Sequence, residues 1–95
     1  MSGTSEQRFD LGRLFMTPGA EQAMLDGGHS HGEFLERHAR GDWGDLSEED
    51  KQENELAVEQ GFRILSAYHT SKGCKLWVIT ESDRSVTTIL LPDEY

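Results

Sequence analysis

The sequence has little cysteine and no long apolar run. Its single cysteine, Cys74, excludes an internal disulfide. Cys74 stands beside a turn glycine and the sequence identifies no base for it, so we interpret it as an inert thiol. No stretch is apolar enough to span a bilayer, and the N-terminus lacks the apolar core of a signal peptide. The sequence therefore predicts a cytoplasmic protein.

Basic residues are also scarce. Lys and Arg number 9 against 18 Asp and Glu, which gives a formal net charge of −9 over 95 residues. Phosphate groups are bound mainly by Lys and Arg, so this balance disfavours direct nucleic-acid binding and anionic membrane surfaces. The negative charge favours a protein partner with a basic surface. Attraction between the opposite charges would make association with such a partner fast at low salt.

The negative charge is concentrated in residues 42–59. This segment contains eight acids and one base, Lys51, so its net charge is 1 − 8 = −7. One hypothesis is a protein-binding surface, and a DNA mimic that occupies a basic nucleic-acid channel is a specific form of it. The alternative is that these charges serve only solubility. The candidate binding residues are Asp42, Asp45, Glu48, Glu49, Glu53 and Glu55.

The order of hydrophobic patterns predicts one α+β domain over residues 9–95, after a disordered tail at 1–8. A short N-terminal strand and three helices should precede a three-stranded antiparallel meander that packs on the helices. The N-terminal strand is expected at 11–16, with the option of joining the sheet edge. The predicted helices are 18–27, 31–40 and 48–60, and the predicted meander strands are 62–69, 75–80 and 85–91.

Capping residues indicate where each helix begins. Thr17-Pro18 opens the first helix, because Thr can cap and Pro needs no N–H at the first position. Ser30 and Glu33 have the spacing of a capping box for the second helix, and Ser47 caps the third. The third helix offers only a narrow apolar stripe, Leu56 to Val58, for packing.

The turn Gly41-Asp42-Trp43-Gly44-Asp45 joins the helical half of the chain to the strand-rich half. Trp43 and Leu46 are the predicted anchors of this turn in the core. Trp77, in the strongest predicted strand, is the third anchor.

The histidines carry the enzymatic alternative. His31 and His38 lie about 10 Å apart along a helix, which is too far for one metal ion, so no metal site is expected. His38 at a helix end would complement the helix dipole when protonated. A small hydrolase or nuclease-type enzyme centred on His38 and Asp42 is the alternative function. No phosphate-binding glycine loop is present, and no cofactor is expected.

An exposed sheet edge supplies a third hypothesis. The strands predicted at 62–69 and 85–91 could each lie at an edge and accept a strand from a partner or from a second copy. The expected state is accordingly a monomer or a weak homodimer.

Several motifs resemble a family of small proteins found on bacterial plasmids and other mobile elements. The resemblance covers residues 9–95 and rests on Gly41-Asp42-Trp43-Gly44-Asp45, on 79–85 (ITESDRS) and on 87–95 (TTILLPDEY). Some members of that family carry an automatic label that links them to restriction–modification subunits. A methyltransferase needs a cofactor fold for which this chain is too short. The resemblance itself implies little about activity. Together with the −7 charge of residues 42–59, it leads to the hypothesis of a non-enzymatic interaction protein of mobile-element origin, of which an anti-defence role is a specific form. Family members usually have a proline where His31 stands, which supports a helix start there.

Overall fold

The computed structural model describes residues 7–95, and within them three α-helices pack with a four-stranded sheet. This arrangement confirms the α+β class and the order of the helices. The elements are β1 (Arg13–Met16), α1 (Pro18–Gly27), α2 (His31–Ala39), α3 (Glu48–Gln60), β2 (Ile64–His69), β3 (Lys75–Thr80), β4 (Val86–Leu90) and a short 3-10 helix (Pro92–Glu94). No helix among these is long and apolar enough to cross a membrane.

The first residues of the described chain contact the helical layer. The backbone N–H of Arg8 donates to the carbonyl of Ala39 at 2.8 Å, and its guanidinium binds Glu55 of α3. Gln7 and Arg8 belong to the predicted disordered tail at 1–8. The other residues of that prediction, 1–6, lie outside the described residues.

The sheet is mixed, in the order β1-β4-β3-β2. β2, β3 and β4 are successive antiparallel neighbours, whereas β1 pairs parallel with β4, from Arg13 opposite Val86 to Met16 opposite Ile89. The predicted antiparallel meander is therefore formed by β2, β3 and β4, and the structure differs in that β1 adds a fourth strand, which is parallel to β4 and makes the sheet mixed. Residue periodicity indicates a strand but not its pairing partner, and β1 finds its partner about 70 residues away along the chain.

The predicted ends of α1 and α3 are confirmed. Thr17 Oγ1 accepts the N–H of Ala20 at 3.2 Å, and Ser47 Oγ accepts the N–H of Asp50 at 3.1 Å. Each helix ends before a glycine in the left-handed conformation, Gly28 and Gly61, which is the conformation that helix termination requires.

The predicted capping box of α2 is wrong. The side chain of Ser30 makes no capping hydrogen bond. The carboxylate of Glu33 instead contacts Nδ1 of His29, at 3.0 Å, so it does not reach back to the Ser30 backbone. The helix nevertheless begins at His31, as the spacing predicted.

Two apolar clusters form the core. The larger lies between α1, α2 and one face of the sheet. The smaller lies beside α3 and contains Phe9, Trp43, Ala57 and Ile64. The larger cluster consists of Ala20, Met24, Phe34, Leu35, Tyr68, Leu76, Val78 and Ile89.

Helix α3 packs through two residues of the predicted stripe, Ala57 and Val58, together with Asn54, whereas Leu56 does not take part. Leu56 is 48% exposed, while Asn54 and Ala57 are buried. Asn54 is accommodated because its side-chain amide bonds to the backbone of β2.

Candidate groove between helix α3 and the sheet

The face of the sheet that α1 and α2 leave uncovered carries the candidate site. Strand side chains alternate between faces, so Leu65 and Ala67 point away from the side of buried Ser66 and Tyr68. Together with Trp77 and Lys75 on β3, they line a groove of about 550 Å³. Helix α3 supplies its other side through Asp50, Glu53, Asn54, Leu56 and Ala57.

The turn before α3 completes this groove, because it is attached to strand β2. The N–H of Ala67 donates to the carbonyl of Trp43 at 3.1 Å, and its carbonyl accepts the N–H of Asp45 at 2.7 Å. Gly44 lies between these two bonds with φ +76, and a Cβ there would lie 2.0 Å from the Ala67 oxygen. Only glycine fits this approach, and the turn thereby places Asp45 and Leu46 on the groove.

Charge is divided between the two sides of the groove. Asp45, Asp50 and Glu53 line it from the turn and α3, whereas Arg63 and Lys75 line it from the strand side. A bound segment with cations on one side would therefore meet carboxylates in only one orientation.

Apolar side chains at the groove are unusually exposed. Phe62 is 53% exposed and Leu56 is 48% exposed. Trp77 is half-buried, and its ring meets that of Tyr95 edge to face at 5.9 Å. The guanidinium of Arg63 lies 5.3 Å from the centre of the Tyr95 ring. Exposed apolar side chains with a charged border are typical of a binding surface.

Two of the predicted binding acids are engaged within the fold. Asp42 bonds to Arg37 at 2.7 Å, and the guanidinium holds the pKa of that carboxyl below its usual value. Glu55 accepts two hydrogen bonds from Arg8, at 2.8 and 2.9 Å, and one from the Trp43 indole at 2.9 Å. These donors lower the pKa of Glu55, and Arg8 has a larger effect than Trp43.

The other predicted acids are more available. Asp45 and Glu53 line the groove, and Asp45 also contacts Nδ1 of His69 at 2.6 Å. Glu48 is 85% exposed and lies 3.6 Å from Lys51. Glu49 is exposed and has no ion pair among residues 7–95. The structure therefore brings Asp45 and Glu53 to one site and leaves Glu48 and Glu49 outside it.

The groove also contains residues that the sequence did not single out. Asp50 was counted among the eight acids of residues 42–59 but was not proposed as a binding residue. Phe62 and Arg63 were assigned to a strand, which in the structure begins at Ile64. Their exposure on the groove follows from this later start.

The predicted anchors occupy different environments. Trp43 is 4% exposed, and its ring stacks on Phe9 at 6.2 Å in the smaller cluster. Leu46 packs partly against the same cluster and also lines the groove. Trp77 lines the groove on the opposite side.

His38 lies in the interior and not at a solvent-facing helix end. It is 0% exposed, with Nδ1 2.5 Å from Ser66 Oγ and Nε2 2.9 Å from Thr80 Oγ1. Burial, followed by the positive charge of Arg84, lowers the pKa of His38 to about 3. The predicted protonated imidazole at the helix end is therefore wrong, because the ring is neutral at pH 7.

The structure does not bring His38 and Asp42 together. Both ring nitrogens of His38 are occupied by hydroxyls in the core. The Asp42 side chain is 44% exposed and bonds to Arg37. The two side chains are therefore not hydrogen-bonded to each other, as a general base and its orienting partner would be. Nor does any group of three His, Cys, Asp or Glu within residues 7–95 have the arrangement of a metal site.

Comparison with known proteins adds no assignment: no family model, curated protein or solved structure matches this chain.

Proposed function

We propose that this protein is a non-enzymatic acidic interaction module, which binds a basic, partly apolar segment of another protein in the groove between α3 and the sheet. The observation that supports this most directly is that one groove is lined both by carboxylates and by exposed apolar side chains. The carboxylates are those of Asp45, Asp50 and Glu53, and the apolar side chains are Phe62 and Leu56. Cations of the partner would meet the carboxylates, while its apolar side chains would cover the exposed rings.

The dimensions of the groove favour a polypeptide segment. Helix α3 has 13 residues, so it extends for about 20 Å. The groove runs beside this helix and is open to solvent, as grooves that accept a helix or an extended segment are. A basic partner is favoured over nucleic acid because the chain has net charge −9.

A DNA-mimic or anti-defence role is a specific form of this proposal. Its support is the −7 charge of residues 42–59, calculated as 1 − 8, together with the mobile-element resemblance. Mimicry would use carboxylates on the outer surface of α3, such as Glu48 and Glu49, more than those in the groove. Mobile-element origin and the cytoplasmic location belong to the proposal as predictions from the sequence.

Two triple variants with equal charge separate the groove from general acidity. The groove variant carries Asp45→Asn, Asp50→Asn and Glu53→Gln. The control carries Glu48→Gln, Glu49→Gln and Glu59→Gln. Each removes three negative charges, taking the formal charge from −9 to −6.

The probe is a fluorescent synthetic helix with arginine on one face and leucine on the other, and its affinity is measured by anisotropy at two salt concentrations. We expect the groove variant to weaken binding at least about tenfold, since each of the lost charge pairs contributes when partly desolvated. The control should change binding by less than about threefold, because Glu48, Glu49 and Glu59 are exposed and do not line the groove.

Equal losses in the two variants would reduce the effect to net charge and contradict the groove. A larger loss in the control would assign binding to the outer face of α3, as mimicry requires. Indole NMR signals give an independent readout, because Trp77 lines the groove and should shift on binding, whereas Trp43 is buried elsewhere. The variant proteins should keep the circular dichroism of the parent.

A further inference from the structure

The strands at 62–69 and 85–91, which the sequence offered as edges for strand addition, are both closed to an added strand. Residues 85–91 contain β4, which lies between β1 and β3. At β2, the Asn54 side chain bonds both the carbonyl and the N–H of Leu65, at 2.6 and 3.2 Å. The next residue of β2 whose backbone groups point outward is Ala67, and its N–H and C=O are bonded to Trp43 and Asp45 of the turn. These contacts occupy the outward groups of two successive positions, so β2 cannot accept another strand there.

Strand β1 forms the remaining edge. The N–H of Arg13 donates to Ser85 at 2.9 Å, and that of Thr17 donates to Ile89 at 3.0 Å. In a parallel ladder, alternate residues bond to the neighbouring strand. Leu14 and Met16 therefore direct their N–H and C=O groups away from β4.

This edge is both apolar and exposed. Leu14 is 50% exposed, Phe15 is 48% exposed and Met16 is 38% exposed. β1 contains no proline, and the two protections of an edge strand that it has are a length of only four residues and the charge of Arg13. An edge of this kind is a site for strand addition.

We propose that β1 pairs antiparallel with β1 of a second copy of this chain, with Phe15 on the two-fold axis. In this register Leu14 lies opposite the partner's Met16, and the two residues exchange both backbone hydrogen bonds. Phe15 faces the partner's Phe15 as a non-hydrogen-bonded pair, for which the Cα atoms are about 4.5 Å apart. The two copies then share one eight-stranded sheet.

The strand is self-complementary in this register. Leu14 and Met16 lie on one face, so both cross-strand pairs on that face are apolar, and the aromatic pair lies on the other face. The only charge on β1 is that of Arg13, whose guanidinium lies 5.6 Å from the centre of the Phe15 ring. Leu14, Phe15 and Met16 are uncharged, so none of them places a charge against the second copy.

The charge layout also favours a second copy at this edge. The acidic segment is attached to β2, at the opposite end of the strand order from β1. Two chains of charge −9 therefore approach through β1 with the two acidic segments at the far ends of the joined sheet. This inference does not depend on the proposed function, although a dimer would carry two grooves and could bind a repeated partner more tightly.

The oligomeric state tests the pairing. Sedimentation equilibrium of the parent chain, from about 1 µM to 1 mM, should show a concentration-dependent dimer. Phe15→Lys places like charges opposite each other and should weaken the dimer at least about tenfold. Leu56→Lys is the matched control, because Leu56 is 48% exposed on α3, which lies beside β2 at the opposite end of the strand order; it should leave the dimer within about twofold.

Leu14→Pro tests the backbone bonds, since it removes an N–H that is directed to the partner and not to β4. It should abolish the dimer while the circular dichroism is unchanged. A parent chain that stays monomeric to 1 mM would overturn the proposal, as would a dimer that both Phe15→Lys and Leu14→Pro leave intact. Removal of residues 1–6 should not affect the dimer, and its loss in that variant would instead assign the contact to those residues.

Disulfide capture tests the register in a Cys74→Ser background. Phe15→Cys should form a covalent dimer under mild oxidation, because directly opposed residues have a Cα separation that a disulfide can bridge. Leu56→Cys, exposed on α3 at the other end of the sheet, should remain largely monomeric. Cross-linking that is equal for the two variants would show random collision and contradict the register.

Discussion

Acid should destabilise this protein through one residue, His38, before its carboxylates are protonated. The ring is 0% exposed and is held between the hydroxyls of Ser66 and Thr80. Burial and the charge of Arg84 lower the pKa of His38 from 6.5 to about 3. In the unfolded chain the ring regains a pKa near 6.5.

The sign and size of the effect follow from this difference. Because the folded-state pKa is the lower one, only the unfolded chain binds the proton between about pH 6.5 and pH 3. Stability is therefore complete above pH 6.5 and is lost as the pH falls towards 3. At pH 5 the loss is about 1.5 pH units times 1.36 kcal/mol, or about 2 kcal/mol. A loss of this size is a large fraction of the stability of a small domain.

Urea unfolding followed by circular dichroism at pH 7.5, 6 and 5 measures this loss. The parent chain should lose about 2 kcal/mol over the range. His38→Gln keeps a side chain that can donate and accept hydrogen bonds but cannot be protonated in this range, so its stability should depend much less on pH. His31→Gln is the matched control, because His31 is exposed, and it should keep the slope of the parent.

The comparison isolates His38 from other groups. The pKa values of Asp42, Glu55, Asp83 and Glu94 are lowered by their hydrogen-bond donors, so their contributions are lost only below about pH 4.5. A parent chain with constant stability from pH 7.5 to 5 would refute the reasoning. So would a His38→Gln variant that keeps the full slope, or an NMR titration in which the buried imidazole is protonated near pH 6.5.

Two substitutions test the contacts that close the β2 edge. Asn54→Ala should lower the free energy of unfolding by about 1–3 kcal/mol, because it leaves the N–H and C=O of Leu65 without partners; Gln52→Ala, exposed on the same helix, should change it by less than about 0.5 kcal/mol in the same urea titration. Gly44→Ala should lower the melting temperature by several degrees, since its Cβ would meet the Ala67 oxygen at a positive φ. Its control, Gly32→Ala, adds a methyl into open space within α2 and should leave the melting temperature equal or higher; similar losses in both would contradict the steric argument.

The sequence predicted those features that depend on neighbours along the chain. Thr17 with Pro18, Ser47, Gly28 and Gly61 determine helix ends within one turn, so their residue types were sufficient. The same approach failed for Ser30, because Glu33 binds the adjacent His29 in preference to the Ser30 backbone. A local pattern predicts a contact only when no other partner competes for the same group.

Polar residues in the core were the main source of error. His38, Ser66, Thr80 and Thr87 are each 0% exposed. Thr80 Oγ1 lies 2.9 Å from the His38 ring and 2.7 Å from Thr87 Oγ1, and the Thr87 hydroxyl donates to the carbonyl of Leu11 at 2.7 Å. Apolar periodicity cannot identify such a chain, because its members satisfy one another across separate elements.

The sequence predicted the negative charge of the segment that lines the groove, but it did not predict the groove itself. The excess of acids over 42–59 is evident from the sequence, yet only the structure shows that Asp42 and Glu55 bind arginines while Asp45 and Glu53 share a groove. The difference depends on Arg8 and Arg37, which reach the segment from other parts of the fold.

The two ends of the sheet differ for one physical reason. At β2, the Gly44 turn and Asn54 bond the outward backbone groups, and in doing so they hold the acidic helix beside the open sheet face. The contacts that close this edge thus also form the groove, so a partner there must be recognised by side chains and not by strand addition. Within residues 7–95 no such contact covers β1, so backbone pairing is available there. Side-chain recognition at one end and self-pairing at the other are therefore compatible within one chain.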